Sequence, residues 1–186
     1  MPAAASSGSA YCSCSGCNVT WLPRRVNGSS LIAHQHASTV HGMREVLCSE
    51  FGPLEGLRVV DRPSAPCGPQ QVRIEVRAAG VNFVDALFVQ GLYQIKPPLP
   101  FVPGNEVAGV VVEVGTEVSD VAVGQRAFAN VGLGGFASEV VVDARRAMPT
   151  PAAMTDGQAA TFTQSYLTAM FALRERAAAR AGQTLL

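Results

Sequence analysis

Between Arg44 and Asp143 the apolar residues of this chain recur either at every second position or in short unbroken runs, with Gly and Pro breaking them. Val72–Ala78 sets Val72, Ile74 and Val76 against Arg73, Glu75 and Arg77, which is the period of a half-buried strand. Glu106–Val114 is a β-branched run long enough for a strand buried on both faces. Arg44–Cys48 and Leu57–Asp61 flank the turn-forming Phe51-Gly52-Pro53, and Ala127–Val131 and Phe136–Val142 flank Gly132–Gly135. A further turn, Gly115-Thr116-Glu117, leads into Val118–Val121. Short strands at this spacing predict a mainly β domain, a compact barrel or sandwich.

Helical texture enters twice. Asn82–Gln90 has a cap at Asn82 or Asp85 and a terminator at Gly91, where a residue without Cβ takes the left-handed conformation freely. After Pro151, Thr155-Asp156 caps Gly157–Phe162, and Ser165–Ala179 spaces Leu167, Met170, Phe171 and Leu173 by three and four, the mark of a long helix. The chain then turns at Gly182 and ends on Thr184-Leu185-Leu186, which reads as the first residues of a buried strand cut short.

Residues 1–42 differ from all that follows. They are rich in Ser, Ala and Gly, show no period, and contain no Asp or Glu, so they are predicted to be disordered. Two readings stand for them: an organellar transit peptide carrying Arg24 and Arg25, or an upstream extension of a domain whose natural start is Met43. The chain thus divides into a leader at 1–42, a β domain at 43–154 and a helical segment at 155–186.

Composition narrows the function classes. With 14 basic and 14 acidic residues the net charge is zero, which leaves no field to attract nucleic acid or anionic lipid. The longest apolar runs, such as Val107–Val112, are far shorter than the roughly 20 residues of a membrane-spanning helix. The five cysteines are an odd number, three of them crowded at Cys12, Cys14 and Cys17, which argues against a disulfide framework. Those three, with His34, His36 and His41, offer ligands for Zn²⁺ or Cu⁺. Their spacing matches no standard zinc module, and an unstructured tail loses its full ordering entropy before any ligand bond forms.

Three stretches carry a resemblance: Ala78-Ala79-Gly80-Val81-Asn82-Phe83-Val84-Asp85, then Gly91-Leu92-Tyr93, then Pro97–Val111 with Pro103-Gly104-Asn105-Glu106-Val107-Ala108-Gly109 at its centre. Val114–Val118, Val123–Ala127 and Gly134–Glu139 extend it in the same order. From Met43 to Leu186 the chain resembles the medium-chain dehydrogenase/reductase superfamily, and within it the zinc-free quinone oxidoreductase branch. The resemblance implies a GroES-like β-barrel catalytic domain with short helices, followed by helices that lead into a Rossmann domain absent from these residues. It also implies NADPH bound between the two domains. In relatives a Gly-rich loop opening a helix holds the pyrophosphate, whereas Gly132-x-Gly134-Gly135 lies between strand patterns and reads as a hairpin turn.

The same resemblance assigns roles. Zinc-dependent cousins place Cys and His where this chain has Asn82 and Asn105, and amides are poor zinc ligands, so a metal-free site is expected. Asn82 and Tyr93 are the candidate catalytic residues, and Asn82, Thr163, Gln164 and Thr168 the candidate cofactor contacts. Each has a plainer alternative: Asn82 as a helix cap, Tyr93 as a packing ring, Thr168 as a helix hydroxyl bonded back one turn. Glu106, without its zinc-site partners, is expected to have a structural or hydrogen-bonding task. The implied reaction is hydride transfer from NADPH to a quinone or other α,β-unsaturated carbonyl. A homodimer is implied for full-length members, and a cytoplasmic location, or an organelle if residues 1–42 are a transit peptide. The alternative is a non-catalytic GroES-like module or an inactive fragment. On either reading an apolar face around Phe162, Leu167 and Phe171 is expected to be exposed.

Overall fold

The computed structural model describes residues 42–184. The leader's candidate ligands, Cys12, Cys14, Cys17, His34, His36 and His41, lie outside them. Two antiparallel sheets form the body. Strands β1 (Gly42–Leu47) and β2 (Arg58–Pro63) pair with each other. The larger sheet has the order β6-β3-β4-β5-β7, built from β3 (Gln71–Gly80), β4 (Glu106–Val114), β5 (Arg126–Asn130), β6 (Glu139–Asp143) and β7 (Met148–Pro149). The small sheet is tied on by backbone bonds: Val46 N–H donates to Phe136 O at 2.8 Å, Ser138 N–H to Arg44 O at 2.7 Å, and Cys48 and Phe101 exchange bonds of 2.8 and 3.0 Å. The expected mainly β architecture with short helices is what forms.

The alternation read in the sequence sets which side of β3 is inside. Val72 and Ile74 are fully buried and meet Val107, Val111, Val140 and Val142 in the main core. Arg73 lies on the other side, where its guanidinium pairs with Glu113 of β4 and Glu139 of β6. Central in its sheet, β4 is buried from Glu106 through Gly109, which is why it reads as a continuous run rather than an alternation.

Between β3 and β4 the register passes from Val76↔Gly109 to Ala78↔Ala108, so Arg77 is an extra residue, a β-bulge. There the β3 backbone crowds Gly109: a Cβ on that residue would lie 1.9 Å from Glu75 O. After the bulge β3 runs on to Gly80 and delivers Asn82 to the start of α1 (Phe83–Val89). The end of α1 is the expected glycine stop. Gly91 has φ +67° and donates to Phe88 O at 3.0 Å, while Leu92 N–H reaches Leu87 O at 2.9 Å, a Schellman closure.

Val118 and Val121 pack on the core without forming a strand. Local details differ from the sequence reading in three places. Strand β6 starts at Glu139 rather than Phe136, because Phe136–Ser138 pairs with β1 instead. The two-residue strand β7 was not anticipated. The expected helix 165–179 is instead α3 (Phe162–Phe171), which passes into a single π-helical turn at Ala172–Arg176. It follows α2 (Asp156–Ala160) directly, with Thr161 non-helical at φ −113°, ψ 2° between them. The Ala-rich end has helix propensity but no packing partner among the described residues, and propensity alone rarely holds so short a helix.

Candidate functional site

The site is assembled where β3, α1, β4 and α3 begin or end. Asp85 is its first fastener. One carboxylate oxygen accepts the Asn82 backbone N–H at 2.8 Å, capping α1, and the other accepts the Gly104 N–H at 3.2 Å, anchoring the loop before β4. Gly104 has φ +92°, and the Phe136 ring fills the space a side chain would need. Asn105 and Glu106 are thereby carried up to Asn82.

Burial pushes the Asp85 carboxyl pKa up; the two N–H bonds pull the other way, and the Glu106 charge adds to the rise. A carboxyl with a raised folded pKa contributes stability that is present below its unfolded pKa and is lost as pH rises through the folded one. Asp85→Asn removes that loss. Its stability relative to the unsubstituted protein, from urea melts between about pH 4 and pH 7, is therefore expected to improve as pH rises. A constant difference across that range would contradict the assignment.

Glu106 is the second fastener. It is 1% exposed, and each oxygen serves a different element: Oε1 accepts from Asn82 Nδ2 at 2.9 Å, and Oε2 accepts from the Gln164 backbone N–H at 2.7 Å. Asn82 Nδ2 also donates to Asn105 Oδ1 at 3.0 Å, and Asn105 Nδ2 reaches Gln164 Oε1 at 3.4 Å. The backbone under this cluster is tight, since a Cβ on Gly80 would meet Ala160 O at 2.3 Å and Glu106 Oε1 at 3.2 Å. Two amides, a third amide on α3 and a buried carboxylate thus form one closed chain of hydrogen bonds.

Of the residues singled out from sequence, this arrangement joins Asn82 and Gln164. Thr163 is buried beside Gln164. Thr168 is exposed, one helical turn beyond Gln164 on the same face of α3. Tyr93 is not part of the cluster. It lies past the far end of α1, a seven-residue helix about 10 Å long, and packs edge-on against Phe88 with ring centroids 4.7 Å apart. Asn82 is the N-cap residue of α1, its backbone N–H held by Asp85, and its side chain belongs to the cluster. Asp85 has the capping task read for it and Glu106 the hydrogen-bonding one, while their tie to Gly104 and to Gln164, and the place of Asn105 in the same cluster, are what sequence reasoning missed. A charged residue opening a β-branched run was the available signal, because a buried carboxylate is kept only with partners.

The rim is apolar. Val81 and Phe83, either side of Asn82, are 78% and 81% exposed, and Leu167, Met170 and Phe171 of α3 are open as well. Phe162 is half-buried, stacked on Tyr166 and edge-on to Phe128. The expected exposed face is present at Leu167 and Phe171.

With this geometry described, likeness to known proteins can be placed on it. Residues 68–152 match the alcohol dehydrogenase GroES-like domain family. Quinone oxidoreductase-like protein 2 of Bos taurus is 40% identical over 144 residues, covering 77% of this chain and 40% of that protein. The crystal structure of human synaptic vesicle membrane protein VAT-1 homolog-like protein superposes with a TM-score of 0.73 at 32% identity, covering 76% of this chain and 46% of that one. Escherichia coli quinone oxidoreductase, solved in complex with NADPH, superposes with a TM-score of 0.66 at 32% identity over 72% of this chain and 40% of that one. The chain spans about two fifths of the length of the curated relatives it matches. By motif, fold and these likenesses, it belongs to the quinone oxidoreductase-like medium-chain dehydrogenase/reductases and carries their GroES-like domain.

Proposed function

We propose that residues 43–184 supply one wall of the active site of a zinc-independent reductase that transfers hydride from NADPH to a quinone or other α,β-unsaturated carbonyl. The observation that carries this reading is the cluster of Asn82, Asn105, Glu106 and Gln164, at the spot where zinc-dependent cousins hold their metal. The donor set does not suit zinc. Both amide hydrogens of Asn82 are engaged, and each Glu106 oxygen already accepts an N–H. NADPH, when bound, supplies the hydride. The protein's part is to orient hydrogen-bond donors toward the oxygen that gains charge and to keep water away with the apolar rim of Val81, Phe83 and Leu167. Gln164 and Thr168, aligned on α3, are the residues offered to the nicotinamide side, with Asn82, whose amide hydrogens are engaged inward, beside them as a support. Tyr93, at the other end of α1, is offered to the outer part of the substrate.

Gly132 and Gly134, with φ +78° and +98°, turn the chain between β5 and β6 and open no helix. A phosphate-holding loop must therefore come from residues other than these. Relatives' NADPH complexes and quinone oxidoreductase names support the cofactor and substrate class. The test is a domain exchange in which residues 43–184 replace the corresponding segment of Escherichia coli quinone oxidoreductase, with NADPH consumption followed in the presence of a quinone. Turnover by the exchanged enzyme, and none by the 186-residue chain alone, is expected. Saturable turnover by the chain alone would overturn the one-wall reading.

A further inference from the structure

Asn82 and Gln164 both present a side-chain amide to the site, yet their hydrogens are disposed differently. An amide NH₂ has two donors. Those of Asn82 are both used inward, by Asn105 Oδ1 at 3.0 Å and Glu106 Oε1 at 2.9 Å. Gln164 is the reverse: its carbonyl Oε1 accepts from Asn105 Nδ2, while its Nε2 has no partner among the described residues and is not buried. Its backbone N–H is held by Glu106 Oε2 at 2.7 Å, which fixes the first turn of α3 against β4. Bonds to a buried carboxylate are the strong kind, so Glu106 sets which way the Asn82 amide faces, while the Gln164 side-chain amide is turned by Asn105 Nδ2.

We infer that Glu106 withdraws Asn82 from donating to a ligand and leaves Gln164 Nε2 as the amide donor presented to a ligand carbonyl oxygen. Glu106 and Asn105 are positioning residues in this scheme: one anchors the helix that carries Gln164, the other fixes the polarity of its amide. The two hydrogens of Gln164 Nε2, without a partner among the described residues, call for an acceptor such as a carbonyl oxygen. This rests on the proposed reductase reading only for the source of the carbonyl, which is either the acceptor substrate or the carboxamide of the nicotinamide.

The experiment uses the ¹⁵N-labelled 186-residue chain and reads its side-chain amide resonances. Two probes are titrated separately: nicotinamide, and tetramethylbenzoquinone, whose blocked ring positions prevent addition of any of the five cysteine thiols. Without probe, the Asn82 NH₂ hydrogens are expected to exchange with water at least about tenfold more slowly than those of Gln164. With a probe, the Gln164 NH₂ pair should move and the Asn82 pair stay still; the probe that acts identifies the carbonyl source. Gln164→Leu should abolish the response without unfolding the chain, since its side chain is half-buried and ends at solvent. Glu106→Gln should make the Asn82 hydrogens labile. Movement of the Asn82 pair, equal exchange of the two amides, or no response to either probe would overturn the inference. Failure of the reductase reading is seen separately: the exchanged enzyme would lack turnover while Gln164 still responds.

Discussion

Glu106→Ala is expected to cost about 3 kcal/mol or more of folding stability, a large share of the 5–15 kcal/mol a domain of this kind has. The carboxylate serves two donors on two elements, the Asn82 side chain at the start of α1 and the Gln164 backbone at the start of α3. Truncation leaves both without an acceptor in a site that is 1% exposed. Each unsatisfied buried donor costs about 1–3 kcal/mol, and the emptied volume adds to that. Glu106→Gln keeps the shape and one acceptor oxygen but turns an NH₂ toward a donor, so it is expected to cost less, about 1–2 kcal/mol. Urea denaturation of the three proteins checks the order. A Glu106→Ala cost below about 1 kcal/mol would mean the clamp is not structural.

Gly109→Ala is expected to be as damaging for a different reason. A Cβ there would sit 1.9 Å from Glu75 O, 2.9 Å from Glu75 C and 3.1 Å from Arg77 N, all backbone atoms of the paired strand. No rotamer change relieves such a contact, so β3 must move away from β4 at the centre of the sheet. A loss above about 3 kcal/mol is expected, in the range of severe overpacking. Gly157→Ala is the control. Nothing lies within 4 Å of a Cβ on Gly157, in the first turn of α2, so that change should be neutral or stabilising by up to about 1 kcal/mol. Thermal melts that rank the two glycines alike would refute the bulge account.

How much of this was legible in the chain depends on whether the cause is local. Strand β4 runs over the residues its β-branched run marks, and α1 starts and stops at the residues whose chemistry caps it, Asn82 and Gly91. Where a segment's partner lies far along the chain, the reading slips. Phe136–Ser138 looks like the first part of β6 until β1 takes it. The helix after Thr161 was read too late and too long, because its apolar spacing says nothing about whether a packing partner is present.

The site shows the same division. Asn82 and Gln164 could be named from the resemblance of their motifs to those of relatives. That Asp85 buttresses the loop at Gly104, and that Glu106 bridges Asn82 to Gln164, could not, since those contacts join residues 19, 24 and 58 positions apart. The direction of an amide's hydrogens is set by its acceptors, and the acceptors come from the fold.

The central claim is that this wall works in hydride transfer without a metal. Its most direct test is NADPH-dependent quinone reduction by the exchanged enzyme, measured before and after exhaustive chelation and again with added zinc. Turnover that is present and unchanged in all three conditions is the expected result. Turnover lost on chelation and restored by zinc, or absent from an exchanged enzyme that folds and binds NADPH, would contradict it.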